Sequence, residues 1–157
     1  NYVRSIEIIA WTTVIFAIFL YIADKFSVRK KIDTDLNLRA ILAIGIFQVV
    51  ALIPGVSRAG IVITAGRLLN FDRYDSAKIS FFLSVPAIAG ASFLNLKEST
   101  FSNIEVNFIV LLAVICSFIF SYITIKYFLI FVKKFSMNFF IIYRVCLGLV
   151  LFWFIYT

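Results

Sequence analysis

Histidine is absent from the 157 residues, cysteine and proline occur twice each, and acidic residues number only 8 against 15 Lys and Arg. Without histidine, no imidazole can act as a base, a nucleophile or a metal ligand. Cys116 and Cys146 lie inside long apolar runs, where packing is their ordinary role and a disulfide or metal pair is not expected. Polar surface is missing too. The chain is 63% hydrophobic and 18% aromatic, with a mean hydropathy of +1.06, which excludes a soluble globular domain. The net charge of +7 does not indicate a nucleic-acid partner, because the basic residues sit in short loops between apolar runs and no soluble face gathers them. The first apolar run ends in a charged loop without a small-residue cleavage site, so it is not a secretory leader. A start at Asn1 rather than methionine suggests part of a longer protein.

What is present is a series of apolar runs, predicting an all-α polytopic membrane protein in one membrane domain, residues 1–157. Ile6–Ala23 is 18 residues long with only Glu7 to break it, close to the ~20 needed to cross a ~30 Å core. Lys78–Leu96, Val106–Val132 and Asn138–Tyr156 complete about four spans. Pro86 and the small residues Ala87, Ala89, Gly90, Ala91 and Ser92 predict that the second span packs centrally rather than facing lipid. Every Lys and Arg except Arg4, Lys97 and Arg58 falls in a segment assigned to the inner side, as the positive-inside bias requires. Arg144, near the start of the last run, is expected to snorkel to that face.

Between the first two spans, Leu38–Ile53 gives 16 apolar residues and Gly60–Leu69 only ten, about 15 Å of helix for the shorter piece. The break between them, Ile53-Pro54-Gly55-Val56-Ser57-Arg58-Ala59-Gly60, concentrates helix-breaking and polar residues. Two half-length pieces around such a break read as a re-entrant helical hairpin; one full span followed by a surface helix is the alternative. Non-helical backbone at membrane depth survives only when buried in protein or lining a wet cavity.

An arginine at that depth costs several kcal/mol on insertion scales and needs a partner or a purpose. Its planar fork matches phosphate oxygens bidentately, Gly60 opens the second half-helix with free N–H groups, and Ser57 adds a hydroxyl. These groups describe a phosphate cradle reached by a phosphorylated lipid. An Arg58 that caps carbonyls or pairs with a neighbouring acid fits the residues equally well.

The segments Gln48, Ala51–Gly60, Ile63-Thr64-Ala65-Gly66 and Ser80–Ala91, with Tyr143-Arg144 and Leu147-Gly148-Leu149, resemble the second half of the undecaprenyl-diphosphate phosphatase (bacitracin-resistance) family. The resemblance runs over nearly the whole chain from Ile6. It implies an enzyme of the bacterial plasma (inner) membrane, open to the periplasmic face, that removes the terminal phosphate of undecaprenyl diphosphate. It also implies two inverted repeats, each with a re-entrant hairpin. Ser57 and Arg58 match the family's functional serine and arginine, while Pro54, Gly55, Gly60, Thr64 and Gln48 fall at positions expected to bind substrate. Ala59 stands where the family usually has a second serine, and Val62 where it has a threonine.

The family's first repeat carries paired glutamates and a serine-rich segment ending in histidine, which supply the acid/base groups and the ligands of a divalent cation, Mg²⁺ or Ca²⁺. Nothing here matches that repeat, and no metal ligands are assigned within the chain. The chain is therefore expected to hold the phosphate-binding half and to be inactive alone. Half of a transporter or lipid flippase, or an inactive gene remnant, also fits. The acid-phosphatase-like lipid phosphatases are disfavoured because they need a histidine pair.

Overall fold

The computed structural model describes residues 5–26, 28, 30–98 and 108–157, and of residues 95–98 the backbone only. Of the loop expected between Leu96 and Val106, residues 99–105 lie outside the described residues, as do Arg4, Arg29 and the side chains of Lys97 and Glu98.

Short polar residues start several of the helices. Ser5 Oγ accepts from the Ile8 N–H at 3.3 Å and opens α1, Ile6–Asp24. A short turn, α2 (Ile32–Asp35), precedes α3, Leu38–Val49, which is capped by Asn37 Oδ1 on the Ala40 N–H at 2.9 Å. After one 3₁₀ turn at Val50–Leu52 and an irregular tip comes α4, Arg58–Leu68. Each such cap satisfies an N–H that has no partner inside its helix. α5 spans Arg73–Glu98, α6 Phe108–Lys134 and α7 Asn138–Tyr156. α5 starts earlier than the apolar run at Lys78 implies, because Asp72 Oδ1 accepts the Asp75 N–H at 2.6 Å and begins the helix among charged residues.

Among the described residues four helices are long and apolar enough to cross a membrane: Ile6–Asp24, Arg73–Leu94, Phe108–Lys134 and Asn138–Tyr156. α3 and α4 reach only about 18 and 16 Å. The backbone leading into α3 and that leaving α4 are tied together: the Lys30 N–H donates to the Asn70 carbonyl at 3.1 Å, and the Ile32 N–H to Asp75 Oδ2 at 2.9 Å. The two half-length helices thus enter and leave at one end, as a hairpin does. A surface helix is ruled out for α4, since every residue from Ile61 to Arg67 is buried.

α4 is the hub, packed on α1, α3 and α5. Towards α3 it joins a core of Ile44, Val56, Ile61, Val62 and Phe71. On its other side, Ile63 meets Leu20, Ala77, Val132, Met137 and Ile141. α1 and α7 cross closely over Ala10 and Gly148, where any Cβ on the glycine would run into the Val14 side chain. Small residues at such a crossing let backbones approach when no hydrophobic force separates helix from lipid. α6 exposes nearly its whole apolar surface, as lipid contact allows. The small-residue stretch of α5 does not pack centrally as expected: from Ile88 to Leu94 it is exposed, and a Cβ on Gly90 would meet nothing within 4 Å. Among the described residues no helix covers that face.

At the end where the hairpin enters and leaves, Asp24 gathers two arginines. Arg73 reaches it with Nε and Nη2 at 2.7 and 2.9 Å. Arg67, 3% exposed, has Nε at 3.4 Å from Asp24 Oδ1 and donates to the carbonyls of Phe71, Asp24 and Phe26 at 2.7–2.8 Å.

Candidate functional site

The hairpin tip owes its shape to two residues in the left-handed region, Gly55 at φ +89° and Ser57 at φ +69°. Glycine takes that conformation freely, whereas serine is strained in it. At Gly55 a side chain is also blocked, because a Cβ would overlap the Thr12 hydroxyl and approach the Ile9 carbonyl oxygen to 2.7 Å. Ser57 is the N-cap, its Oγ accepting from the Gly60 N–H at 3.2 Å. Helix α4 therefore opens at Arg58, two residues before the glycine expected to start it.

The tip's carbonyls are held by side chains of two other helices. Thr12 Oγ1 donates to the Pro54 carbonyl at 2.7 Å and Thr13 Oγ1 to that of Gly55 at 3.3 Å. From α7, Arg144 Nη2 donates to the carbonyls of both Gly55 and Val56 at 2.9 Å. Its position overturns the expectation that Arg144 snorkels to the surface: it is 8% exposed and sits about 9 Å into its helix. The tip carbonyls lie nearer than water and stabilise a charge that would otherwise be buried without partners.

With its carbonyls occupied, the tip presents N–H groups. Ser57 Oγ takes that of Gly60, and the N–H groups of Arg58 and Ala59 have no protein acceptor among the described residues. Beside them, Ser57, Ala59 and Gly60 line a cavity of about 580 Å³ whose polar edge includes Thr13, Gly55, Tyr143 and Arg144 and whose walls include Ile63, Phe128, Met137 and Phe140. No Asp or Glu among the described residues lines it. The arrangement is a positive, donor-rich patch at the mouth of an apolar pocket, which favours a ligand with an anionic head and a hydrocarbon body.

The sequence-predicted residues divide. Ser57, Gly55 and Gly60 meet at the cavity, with Pro54 directly behind. Arg58 begins α4 but is exposed, with no hydrogen bond or ion pair among the described residues, and it does not line the cavity. Thr64 is 2% exposed and donates to the Gly60 carbonyl at 2.7 Å, so its hydroxyl is spent within its own helix. Gln48 lies elsewhere, in a shallow cavity with Gly45, Leu52 and Pro86, its Oε1 buried without a partner among the described residues. The residues that sequence reasoning missed are Thr12, Thr13 and Arg144. Hydroxyls in an apolar helix carry no distinguishing signal, and an arginine six residues from the start of its helix fits snorkelling as well as a buried role.

The donor set does not suit a divalent cation. Among the described residues no three His, Cys, Asp or Glu side chains gather. Asp24 is engaged by Arg73, while Asp72 and Asp75 cap helix starts at the far end of α4, about 16 Å from the tip.

Among the described residues four apolar helices of spanning length and a half-length hairpin, with a donor-rich tip beside an apolar pocket, define a polytopic α-helical membrane protein with its candidate site at that tip. The family is narrower. The family model described as bacitracin resistance protein BacA matches residues 1–150, and the chain belongs to that family. It is 56% identical over 154 residues to the undecaprenyl-diphosphatase of Pelagibacter ubique, covering 98% of this chain and 60% of that protein. It is 43% identical over 148 residues to that of Elusimicrobium minutum, covering 94% and 56%. With the undecaprenyl-diphosphatase of Alteromonas mediterranea it shares 40% identity over 155 residues, 98% and 58% of the two chains. The chain thus spans less than two thirds of the length of these relatives.

Proposed function

We propose that this chain is the diphosphate-binding half of an undecaprenyl-diphosphate phosphatase of the bacterial inner membrane, with its pocket open to the periplasmic side. The observation that carries the reading is the tip itself, where the start of α4, with N–H groups unpaired among the described residues, borders an apolar-walled cavity of about 580 Å³. A prenyl chain suits the phenylalanine-lined walls, and its diphosphate suits the tip. The names of the relatives supply the substrate. Arg58, exposed and beginning α4, would swing onto a phosphate, which its fork matches bidentately.

Hydrolysis needs an activated nucleophile and, for phosphoryl transfer, charge neutralisation. Ser57 Oγ accepts from Gly60 and has no His, Asp or Glu among the described residues beside it to take its proton. The acids and the ligands for Mg²⁺ or Ca²⁺ therefore belong to a complementary repeat, related to this one by inversion. The orphaned Gln48 Oε1 and the uncovered small-residue face of α5 are the surfaces such a repeat would cover. Replacing Arg58 by lysine keeps the charge and loses the fork. In a protein containing both repeats, Arg58→Lys is expected to lower turnover of the lipid diphosphate at least tenfold; normal turnover would reduce Arg58 to a charge or a structural part. A carrier would release its ligand unchanged, so phosphate release also separates this reading from a flippase.

A further inference from the structure

We propose that Arg144 is a second, fixed cationic ligand of the hairpin-tip site, sharing with the start of α4 one phosphate or diphosphate; this rests on the anion-site reading above. The guanidinium is buried to 8% exposure with no carboxylate of the described residues lining its cavity. Nη2 is satisfied by the Gly55 and Val56 carbonyls. Nη1 is buried without any acceptor among the described residues. A buried charged donor left unpaired is costly; the buried Arg67 has both terminal nitrogens bonded, and its one unbonded nitrogen, Nε, lies 3.4 Å from the Asp24 carboxylate, whereas Arg144 Nη1 has no acid beside its cavity among the described residues.

What stands beside Nη1 is the one bare position of the first turn. A Cβ on Gly60 would lie 2.9 Å from Nη1 and 3.2 Å from Ser57 Oγ, filling the gap between the guanidinium and the N–H groups of α4. With glycine there, a ligand oxygen at the tip completes the hydrogen bonding of Nη1 at the start of α4, where the N–H groups of Arg58 and Ala59 are unpartnered among the described residues. The two arginines then have different duties. Arg144 is held in place by the carbonyls it braces, so it is ready before ligand arrives, while Arg58 is free and must be ordered by it. The ligand chemistry is a multiply charged oxyanion, and an apolar wall next to it admits a prenyl-borne one as well as the free ion.

The test is calorimetric titration of the full chain in nanodiscs with inorganic pyrophosphate and, separately, farnesyl diphosphate, with thermal unfolding of each variant alongside. Arg144→Lys still reaches the tip carbonyls, and Gly60→Ala leaves both of them bonded while pressing a methyl on Nη1. Both variants are expected to bind either ligand at least tenfold more weakly than wild type, with Gly60→Ala melting close to wild type. Tighter binding of farnesyl diphosphate than of pyrophosphate would identify the prenyl-borne ion as the ligand, and equal binding the free ion. If wild type binds and both variants match it, Arg144 is a brace only and the proposal fails while the anion site stands. If wild type binds neither ligand, the anion-site reading fails and takes this proposal with it.

Discussion

The chain buries arginine at both ends of α4, and the two ends treat it differently. At the end where the hairpin enters and leaves, Arg67 and Arg73 close on Asp24, and the two terminal nitrogens of Arg67 are both bonded. At the tip, Arg144 meets only carbonyls among the described residues, keeps Nη1 unpaired and faces a cavity. The first is a closed clamp that ties α1, α4 and α5 together. The second leaves a terminal guanidinium nitrogen unpaired beside a cavity that no carboxylate of the described residues lines, whereas the unbonded Nε of Arg67 still lies 3.4 Å from Asp24 Oδ1, and that difference separates a candidate site from a staple.

Breaking the closed end should cost most. Asp24→Ala leaves two guanidinium groups facing each other around an emptied position, and loss of one partner of a buried pair costs about 3 kcal/mol or more. The expected result is a large fall in the melting temperature with tip binding, where the protein survives, little changed. Next comes Gly66→Ala, on the α4 face that meets α5. A Cβ there would lie 2.6 Å from Ser76 Oγ and 3.2 Å from the Ser76 Cα, and forcing such an overlap costs roughly 1–3 kcal/mol. The melting temperature again reads it.

Smaller effects sharpen the tip. Ser57→Ala removes the cap on Gly60 and should cost about 1 kcal/mol. Ser57→Gly loses the same cap but relieves the left-handed strain, so it should melt above the alanine variant; the reverse order would mean the hydroxyl does more than cap. Least disruptive is a labelling pair. With Cys116 and Cys146 replaced by alanine, single cysteines at Leu38 and Tyr74 should react from the same side of sealed vesicles. Reaction from opposite sides would replace the hairpin by a full span.

Much of this was legible in the residues. Runs of apolar residues fix where spans lie, and the last helix, Asn138–Tyr156, has the bounds that its run implies. The half-length pieces around Pro54 and Gly55 are hairpin arithmetic, since each is too short to cross. Less legible was α5, because apolarity locates the membrane segment while Asp72 starts the helix outside it. Arg144 was misjudged because the pattern shows distance from a helix end, whereas its destination depends on the carbonyls that folding brings beside it. Thr64 looks the same in sequence whether it faces a ligand or its own backbone. Gln48 lies one helix away from the tip, a separation that sequence proximity to Pro54 conceals.

The account's central claim is that this chain binds the diphosphate and leaves the chemistry to a complementary repeat. The direct measurement is phosphate release from a prenyl diphosphate by the purified 157-residue chain with Mg²⁺ or Ca²⁺, alone and together with the N-terminal repeat of a relative. The account predicts no release by the chain alone and cation-dependent release by the pair. Cation-dependent release by the chain alone would contradict it and would give the chemistry to Ser57 or to an acid within these residues.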